Sequence, residues 1–357
     1  MSSMSPTSRR LGLAAVGAVL IAAAGVTAYA TTPTAPPARP LAGMRILISN
    51  DDSMRAAKAS NSDGLGLYEL RRAMCAAGAD VVVMAPWQAQ SGKGTAVTNG
   101  GVLTAQRRTA LPAGYENDCA QAPSGGAVYG VCLADGHCAA DSPSATPADT
   151  VKLALRAGLK AEAGWTEAPD LVLTGINSGP NVSAQVNDSG TVGAAVAAID
   201  EDVPAIAFSS AGDETNTSFP RVNYRANAEF GARFVAGLRQ RGLLTDDFAL
   251  KVDYPDVSTG TPAKAPAWTS VGHGAVVWHA YERTGDDSFE IGLGFCEETP
   301  GEPCTETVKD ADSAALFRDG RIAIAPVTAD RTYGAKEPRP ETLWKIRRYV
   351  EHDAPRG

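Results

Sequence analysis

Histidine is scarce in this sequence, and so are the usual zinc motifs. The four histidines are scattered, and none of the six cysteines stands in the paired Cys-x-x-Cys spacing of a zinc site. The chain also has no Gly-x-Ser-x-Gly elbow of the kind found in serine hydrolases. The Gly92-Lys93 pair lacks the glycine that a phosphate-binding P-loop needs five residues earlier, where Trp87 stands. These absences argue against zinc-thiolate, serine-hydrolase and P-loop chemistry.

Basic residues are fewer than acidic ones, 32 against 40. The formal charge is −8, and loss of residues 1–30, which hold two arginines and no acids, would lower it to −10. Such a surface is a poor partner for nucleic acid polymers or anionic membranes. A small anion can still bind where a metal ion or helix ends provide local positive potential. With 44% hydrophobic and 20% charged residues, the chain has the composition of a globular protein.

The first 30 residues have the layout of a secretory signal peptide. Arg9 and Arg10 precede an uncharged run that ends in Ala28-Tyr29-Ala30, an A-x-A cleavage pattern. We predict a signal peptide over 1–30 and a linker over 31–43. The mature protein is then expected to be secreted or extracytoplasmic, by Sec or twin-arginine export, without stable membrane association. An uncleaved membrane anchor is the alternative, because about 20 apolar residues can span a bilayer.

If the protein is exported, its cysteines are expected to form disulfides, because disulfides persist outside the cytosol. Cys296 and Cys304 bracket a short Pro/Gly-containing loop, and we expect them to pair. Two of Cys119, Cys132 and Cys138 are expected to pair within a Gly-rich segment. Cys75 lies in a helical run and is interpreted as a buried free thiol.

Residues 44–335 are predicted to form one α/β domain. Apolar strand patterns alternate with helical patterns, which favours parallel strands joined by helices in right-handed crossovers. The fold class is therefore a Rossmann-like parallel sheet flanked by helices. The predicted strands are 45–49, 80–86, 170–174 and 205–208, with Gly175 ending the third, and the predicted helices are 67–77, 148–163 and 191–199.

Two regions depart from this alternation. Residues 100–146 are rich in Gly, Pro and Ala and are interpreted as an inserted loop or hairpin region. Residues 250–330 carry further strand-like runs, which predict a C-terminal β-rich extension. A helix is predicted over 342–350, within a C-terminal helix and tail spanning 336–357.

Polar residues follow three of the predicted strands. Asp51 and Asp52 come directly after the first strand, Ser91 follows the second, and Asn177 follows the third. Ligands of open α/β sheets gather at the carboxyl ends of strands. Together these residues would form an all-oxygen site of charge −2, which suits one divalent Mg²⁺ or Mn²⁺ ion. A capping Asp beside a surface Asp is the plainer interpretation of the tandem acids.

A further polar segment precedes the helix that begins near Thr191. The Ser189 and Thr191 hydroxyls, together with backbone N–H groups including that of Gly190, would point towards an anion at the helix N-terminus. A helix cap without a ligand is an equally good interpretation.

In order and spacing, these motifs resemble those of the SurE survival-protein family. The resemblance rests on four main segments and spans about residues 44–332. Thr146 to Asp149, and Asp312 with Ile324 to Val327, are similar to two further segments of the family. The resemblance implies that Asp51, Asp52, Ser91 and Asn177 bind the metal and that the protein is a 5'/3'-nucleotidase. It also implies a homodimer or homotetramer assembled through exchanged C-terminal elements. The four segments are Ser49-Asn50-Asp51-Asp52, Ala85-Pro86 with Ser91-Gly92, Thr174 to Asn181, and Ser189 to Val192.

The chemistry that follows is metal-dependent hydrolysis of a small phosphate ester. Asp51 is the candidate catalytic residue, orienting or deprotonating the attacking water. Five residues are expected to hold phosphate oxygens: Asn50, Asn181, Ser189, Gly190 and Thr191. The sequence departs from the family at residues 53–62, an insertion directly beside the predicted metal site.

Two other functions remain open at this point. A metal-dependent nucleoside hydrolase also has tandem acids after its first strand, but the D-x-D-x-x-x-D-D pattern is missing here. A non-catalytic secreted binding module could retain the fold and use the pocket for ligand capture. Release of nucleobase, or binding without turnover, would distinguish these alternatives from a phosphatase.

Overall fold

A nine-stranded mixed sheet forms the centre of the part of the chain that the structure describes. The structure is a computed structural model that describes residues 39–214, 216–274, 277–295, 305–331 and 341–352. All of these belong to one compact unit that starts at residue 38. The predicted signal peptide lies outside the described residues.

The strands are β1 (Arg45–Ser49), β2 (Asp80–Pro86), β3 (Leu103–Arg107), β4 (Val128–Leu133), β5 (Leu171–Ser178), β6 (Ala205–Ser210), β7 (Ala249–Tyr254), β8 (Lys264–Trp268), β9 (Val277–Arg283), β10 (Phe289–Phe295) and β11 (Arg321–Val327). The helices are α1 (Leu65–Ala76), α2 (Pro147–Leu153), α3 (Leu159–Ala163), α4 (Gly190–Ile199), α5 (Arg221–Gln240) and α6 (Glu341–His352). A π-helical turn joins α2 to α3, so the helical path runs unbroken from 147 to 163.

The strand order is β3-β4-β2-β1-β5-β6-β7-β11-β8. The six strands from β4 to β7 pair in parallel, whereas β3 and β11 pair antiparallel to β4 and β7. The chain moves outwards from β1 to β2 on one side and returns to β5 on the other. Topology of this kind opens a crevice at the carboxyl ends of β1 and β5, where doubly wound sheets bind ligands.

Both faces of the sheet are covered, as the continuous apolar strands require. Alternate side chains of the central strands, such as Ile46 and Leu47 of β1, enter two different cores. The first core lies against α1 and α5, and the second lies against α2 and α4. The predicted α/β architecture is therefore observed, and residues 100–146 contribute the paired strands β3 and β4.

The structure corrects the prediction that Gly175 ends the third strand. β5 continues through Gly175 to Ser178, with an irregularity in its pairing to β6 between Thr174 and Asn177. Gly175 has a φ of +112°, and a Cβ atom there would lie 2.1 Å from the Phe208 carbonyl oxygen. Glycine is therefore required by the close approach of the two strands, and it does not terminate β5.

The interpretation of Cys75 as a free thiol was wrong. Cys75 is bonded to Cys119, which staples α1 to the segment before β4. Cys132 pairs with Cys138, as expected for two of the three cysteines in that region. The sequence separations are 44 and 6 residues, so the chain-entropy model assigns the first bond about 4 kcal/mol and the second about 2. Cys296 and Cys304 lie outside the described residues.

The insertion at 53–62 is packed into the domain. Met54 is fully buried, and its carbonyl oxygen accepts a hydrogen bond of 2.6 Å from the Tyr68 hydroxyl. At the other end of the segment, Asn61 donates to the Phe219 carbonyl oxygen and accepts from the Tyr224 hydroxyl. The insertion therefore forms a fixed wall between β1 and the start of α5. Among the described helices, none is both long and apolar enough to cross a membrane.

Candidate metal and phosphate site

Asp51 and Asp52 lie side by side at the carboxyl end of β1, in the crevice of the sheet. Each is only 3% exposed. β2 and β5 flank β1 on its two sides, so the segments that follow all three strands meet at this edge. The prediction that these strand ends converge is therefore met by the structure.

Asp52 is held by the end of β5. The Ser178 backbone N–H donates to Asp52 Oδ2 at 2.9 Å, and the Ser178 hydroxyl donates to Oδ1 at 2.8 Å. Asn177 is the preceding residue, and its Nδ2 donates to the Gly179 carbonyl oxygen at 2.7 Å. This bond fixes the amide, so Oδ1 is the atom that Asn177 can offer to a cation.

Ser178 was not among the residues identified from the sequence. Its signal was only a hydroxyl next to Asn177, which is too common to be informative. Only the pairing of β1 with β5 shows that this hydroxyl lies against Asp52.

Asp51 faces the N-terminus of α4. The Thr191 hydroxyl donates to Asp51 Oδ1, and the backbone N–H groups of Gly190 and Thr191 lower the pKa of its carboxyl, against the larger effect of burial, which raises it. A Cβ atom at Gly190 would lie 2.8 Å from Asp51 Cβ, so only glycine permits this approach. The positive end of the helix dipole therefore acts directly on Asp51.

The predicted phosphate residues at this helix end have defined partners. The Ser189 hydroxyl caps α4 by accepting the Val192 N–H at 3.0 Å. Gly190 and Thr191 contact Asp51, as described above. Their assignment to phosphate binding stays a prediction.

Ser91 lies on the loop that follows β2, one residue after the point where this loop bonds to Asp51. The Gln90 N–H donates to the Asp51 carbonyl oxygen at 2.7 Å, and the Gly94 N–H donates to the Asp188 carbonyl oxygen at 3.0 Å. The loop therefore crosses from β1 to the residue before the α4 cap. Ser91 itself is exposed on this loop and open to solvent.

Asn50 and Asn181 occupy different positions. Asn50 is fully buried, its Nδ2 donates to the Ser53 carbonyl oxygen, and its Oδ1 has no hydrogen-bond partner among the described residues. Asn181 lies on the loop after β5, where its Nδ2 donates to the Ser209 hydroxyl at 2.8 Å. Among the described residues the second N–H of the Asn181 amide has no acceptor, so it can donate to a ligand.

The electrostatics of the aspartate pair favour a bound cation. Burial raises the pKa of Asp51. Burial, followed by the charge of Asp51, raises the pKa of Asp52 to about 8. Two buried carboxylates cannot both stay ionised at neutral pH without a compensating positive charge. A divalent ion would supply that charge.

The donors present fit a hard divalent cation. Asp51, Asp52, Ser91 and Asn177 offer only oxygen atoms, which is the ligand type of Mg²⁺ and Mn²⁺. In the described ranges there is no group of three or more His, Cys, Asp and Glu residues that could hold a metal ion. A cation here would therefore complete its coordination with neutral protein oxygens, water and substrate, as Mg²⁺ commonly does.

Known proteins similar to this chain share one family description. The model of the family described as Survival protein SurE matches residues 46–277. The 5'-nucleotidase SurE of Desulforamulus reducens is 31% identical over 290 residues, covering 81% of this chain and 94% of that protein. The 5'-nucleotidase SurE of Gloeobacter violaceus is 34% identical over 295 residues, covering 81% of this chain and 92% of that protein.

A solved structure supports the same architecture. The crystal structure of the SurE protein from Aquifex aeolicus matches with a TM-score of 0.56 and 24% sequence identity. The match covers 86% of this chain and 99% of that chain. At this identity the likeness shows the fold, and the predicted fold class is confirmed.

We expect the stability of metal-free protein to fall as pH rises from about 4 to 8. Unfolded Asp52 would lose its proton near pH 4, whereas the folded pKa is about 8. The unfolded state therefore binds fewer protons than the folded state across this window. The free energy of unfolding consequently decreases as the pH rises. Asp52→Asn should flatten this fall. The measurement is thermal unfolding in EDTA between pH 4.5 and 8.5.

Added Mn²⁺ should raise the midpoint of thermal unfolding of the wild type by several degrees. Asp52→Asn should lose this stabilisation. Asp170→Asn is the matched control, since Asp170 binds the Arg45 N–H at the opposite end of β1. Wild-type stability that rises through this window in EDTA, or equal Mn²⁺ shifts in wild type and Asp52→Asn, would contradict the assignment.

Proposed function

This chain belongs to the SurE survival-protein family, and we propose that it is a metal-dependent phosphomonoesterase acting on nucleoside 5'- or 3'-monophosphates or similar small esters. The observation that carries the proposal is the buried Asp51–Asp52 pair in the crevice of the sheet. Gln90, the residue before Ser91, donates to the Asp51 carbonyl oxygen. Ser178, the residue after Asn177, donates to the Asp52 carboxylate. Relatives named 5'-nucleotidase SurE support the substrate class.

The proposed metal is one Mg²⁺ or Mn²⁺ ion held by Asp51, Asp52, Ser91 and Asn177. Such an ion, when bound, polarises the phosphoryl group and lowers the pKa of water. Asp52 is held in place by the two hydrogen bonds from Ser178. Asp51, fixed by Thr191 and the start of α4, accepts a proton from the attacking water at its carboxylate.

The phosphate group is proposed to bind N–H and O–H donors around this pair. The free N–H of Asn181 and the α4 N-terminus with Ser189, Gly190 and Thr191 are suitable donors. The buried amide of Asn50 lies one residue before Asp51 and supports the turn at Ser53. These donors, together with the cation, offset the negative charge of the ester.

Phosphate release from a panel of nucleoside monophosphates and an aryl phosphate tests the proposal. Release is expected with Mn²⁺ or Mg²⁺ and not with EDTA. Asp51→Asn should lower it by at least about 100-fold, the usual effect of removing a general base. Asp170→Asn should retain wild-type rates, because Asp170 lies at the amino end of β1.

Two outcomes of this assay would contradict the proposal. Metal-dependent release of free nucleobase would favour a nucleoside hydrolase. Nucleotide binding without turnover under any metal would favour a secreted binding module.

We also propose that the protein is a homodimer or homotetramer assembled through its C-terminal elements. β9 and β10 form a separate two-stranded hairpin, which is marginal in water by itself. Tyr281 and Ile291 pair across one face of it and are each 67% exposed. Helix α6 likewise exposes Trp344 and Tyr349. Exposed apolar surface of this kind favours burial against another subunit.

Light scattering after size exclusion tests this assembly. Wild type is expected to have two or four times the chain mass, and Ile291→Glu should shift it towards the monomer by placing a charge in the interface. Glu290→Lys, which changes the opposite face of the same strand, should not dissociate it. A monomeric wild type would contradict the proposal.

We further propose that the mature protein is exported after cleavage near residue 30. The two disulfides in the described residues support an oxidising location. N-terminal sequencing of protein from the culture medium or cell envelope should begin near Thr31. An intact Met1 on soluble cytosolic protein would refute export.

A further inference from the structure

Lys251 lies in the middle of β7 and is completely enclosed. Its side chain is 1% exposed, and its neighbours across the sheet are Ala207 on β6 and Ala325 on β11. Lysine is almost never fully buried unless it is paired, because removing an ammonium group from water costs several kcal/mol. The proposed reaction does not use Lys251 directly, so its presence here needs a separate explanation.

The ammonium group is shared by two buried carboxylates. Lys251 Nζ contacts Asp253 Oδ2, which is two residues along the same strand and therefore on the same face of the sheet. It also lies 2.8 Å from Asp312 Oδ2, which comes from the segment before β11. Burial alone would lower the pKa of Lys251, but the charges of Asp253 and Asp312 outweigh it, so the pKa is raised.

The remaining oxygens of these carboxylates hold the loop that follows β5. Asp253 Oδ1 accepts the Asn181 backbone N–H at 2.7 Å. Asp312 Oδ1 accepts the Ser183 N–H at 3.1 Å. Ser183 has a φ of +53°, a left-handed conformation that costs a non-glycine residue free energy. The carboxylates therefore impose a backbone path that the loop would not adopt alone.

This loop connects the candidate metal ligand Asn177 to the candidate phosphate ligand Asn181. The Asn181 amide also bonds to Ser209, which pairs with Asp253 across β6 and β7. Both its backbone and its side chain are therefore set by the same part of the sheet. If Asp253 moved or lost its charge, the free N–H of Asn181 would no longer be aimed in one direction.

We propose that Lys251 is a positioning residue for substrate phosphate: it holds Asp253 and Asp312 in place, and they fix the loop that presents Asn181. This inference rests on the proposed phosphatase function for its kinetic readout, but the geometry of the loop can be tested without it. Lys251 itself touches neither substrate nor metal in this scheme.

The charged groups facing Asp253 are Lys251 from its own strand and Asp312 from the opposing segment. Glu306 is connected to Asp312 through Ser183: it accepts hydrogen bonds from the Ser183 and Ser313 hydroxyls. Burial raises the pKa of Asp253 to about 6, with Lys251 opposing that rise. In the wild type, protonation below this pH weakens the hold on Asn181, so KM should rise as pH falls through about 6.

The experiment compares wild type with Lys251→Met, Asp253→Asn and the double variant. Lys251→Met should raise KM for the nucleotide about tenfold, the effect of losing one charge-assisted hydrogen bond, with a smaller change in kcat. Its acid-side rise in KM should begin at higher pH, because Asp253 has lost its cation. In Asp253→Asn and the double variant, this limb should vanish, because the introduced amide keeps an oxygen acceptor and does not titrate.

Lys152→Met is the matched control. Lys152 also bridges two carboxylates, Asp200 and Glu201, at 2.6 and 2.9 Å, but it joins α2 to the end of α4. Its loss should leave KM and the pH profile unchanged, even if the unfolding midpoint falls. A purely structural role for Lys251 predicts the same pattern as this control.

Amide hydrogen exchange over residues 179–184 provides the readout that does not depend on activity. Exchange there should accelerate in Lys251→Met and not in Lys152→Met. If no ester is hydrolysed by wild type, the proposed function fails, but this exchange result still decides the role of Lys251. Folded Lys251→Met with wild-type exchange, KM and pH profile would overturn the inference. Should that variant not fold, an unchanged acid limb in Asp253→Asn would overturn it.

Discussion

The placement of two carboxylates side by side in the crevice of the sheet is the constraint on which the site depends. Asp51 and Asp52 repel one another and are removed from water, so the protein must compensate them or leave them protonated. Part of the compensation is built into the fold, through the start of α4 and through Ser178. The rest is left for a cation, which couples metal binding to stability.

The same crevice is enclosed by segments that the simple alternation of strands and helices does not require. The insertion at 53–62 packs between β1 and α5 through buried Met54 and through Asn61. The Cys132–Cys138 bond closes a short loop, and the next residue, Ala139, accepts the Trp87 indole N–H at its carbonyl oxygen at 2.7 Å. The disulfide-closed segment thus restrains the loop after β2, and the insertion restrains the region between β1 and α5. They give the site fixed walls, which is the condition for holding a ligand in one orientation.

A second group of buried charged residues, Lys251, Asp253 and Asp312, lies on the other side of the crevice. Lys251 with its two carboxylates supports the loop after β5, and Glu306 connects that loop to residues 273 and 274. Glu306 accepts from the Ser183 hydroxyl and from the His273 and Gly274 N–H groups. These donors hold its pKa at about 2 against the opposing effect of burial. A short chain of hydrogen bonds therefore joins the proposed phosphate loop to residues 273 and 274.

The α/β alternation and the family could be predicted from the sequence alone, because the spacing of apolar residues and the motifs at strand ends are local patterns. The sequence also identified Asp51, Asp52, Ser91 and Asn177 as residues of neighbouring strand ends. It could not show that Ser178 binds Asp52, that Cys75 pairs with Cys119, or that Lys251 is buried between Asp253 and Asp312. It also placed the end of β5 too early, at Gly175. Those features join residues far apart in the chain, and only the packing of strands and helices decides which of many possible partners meet.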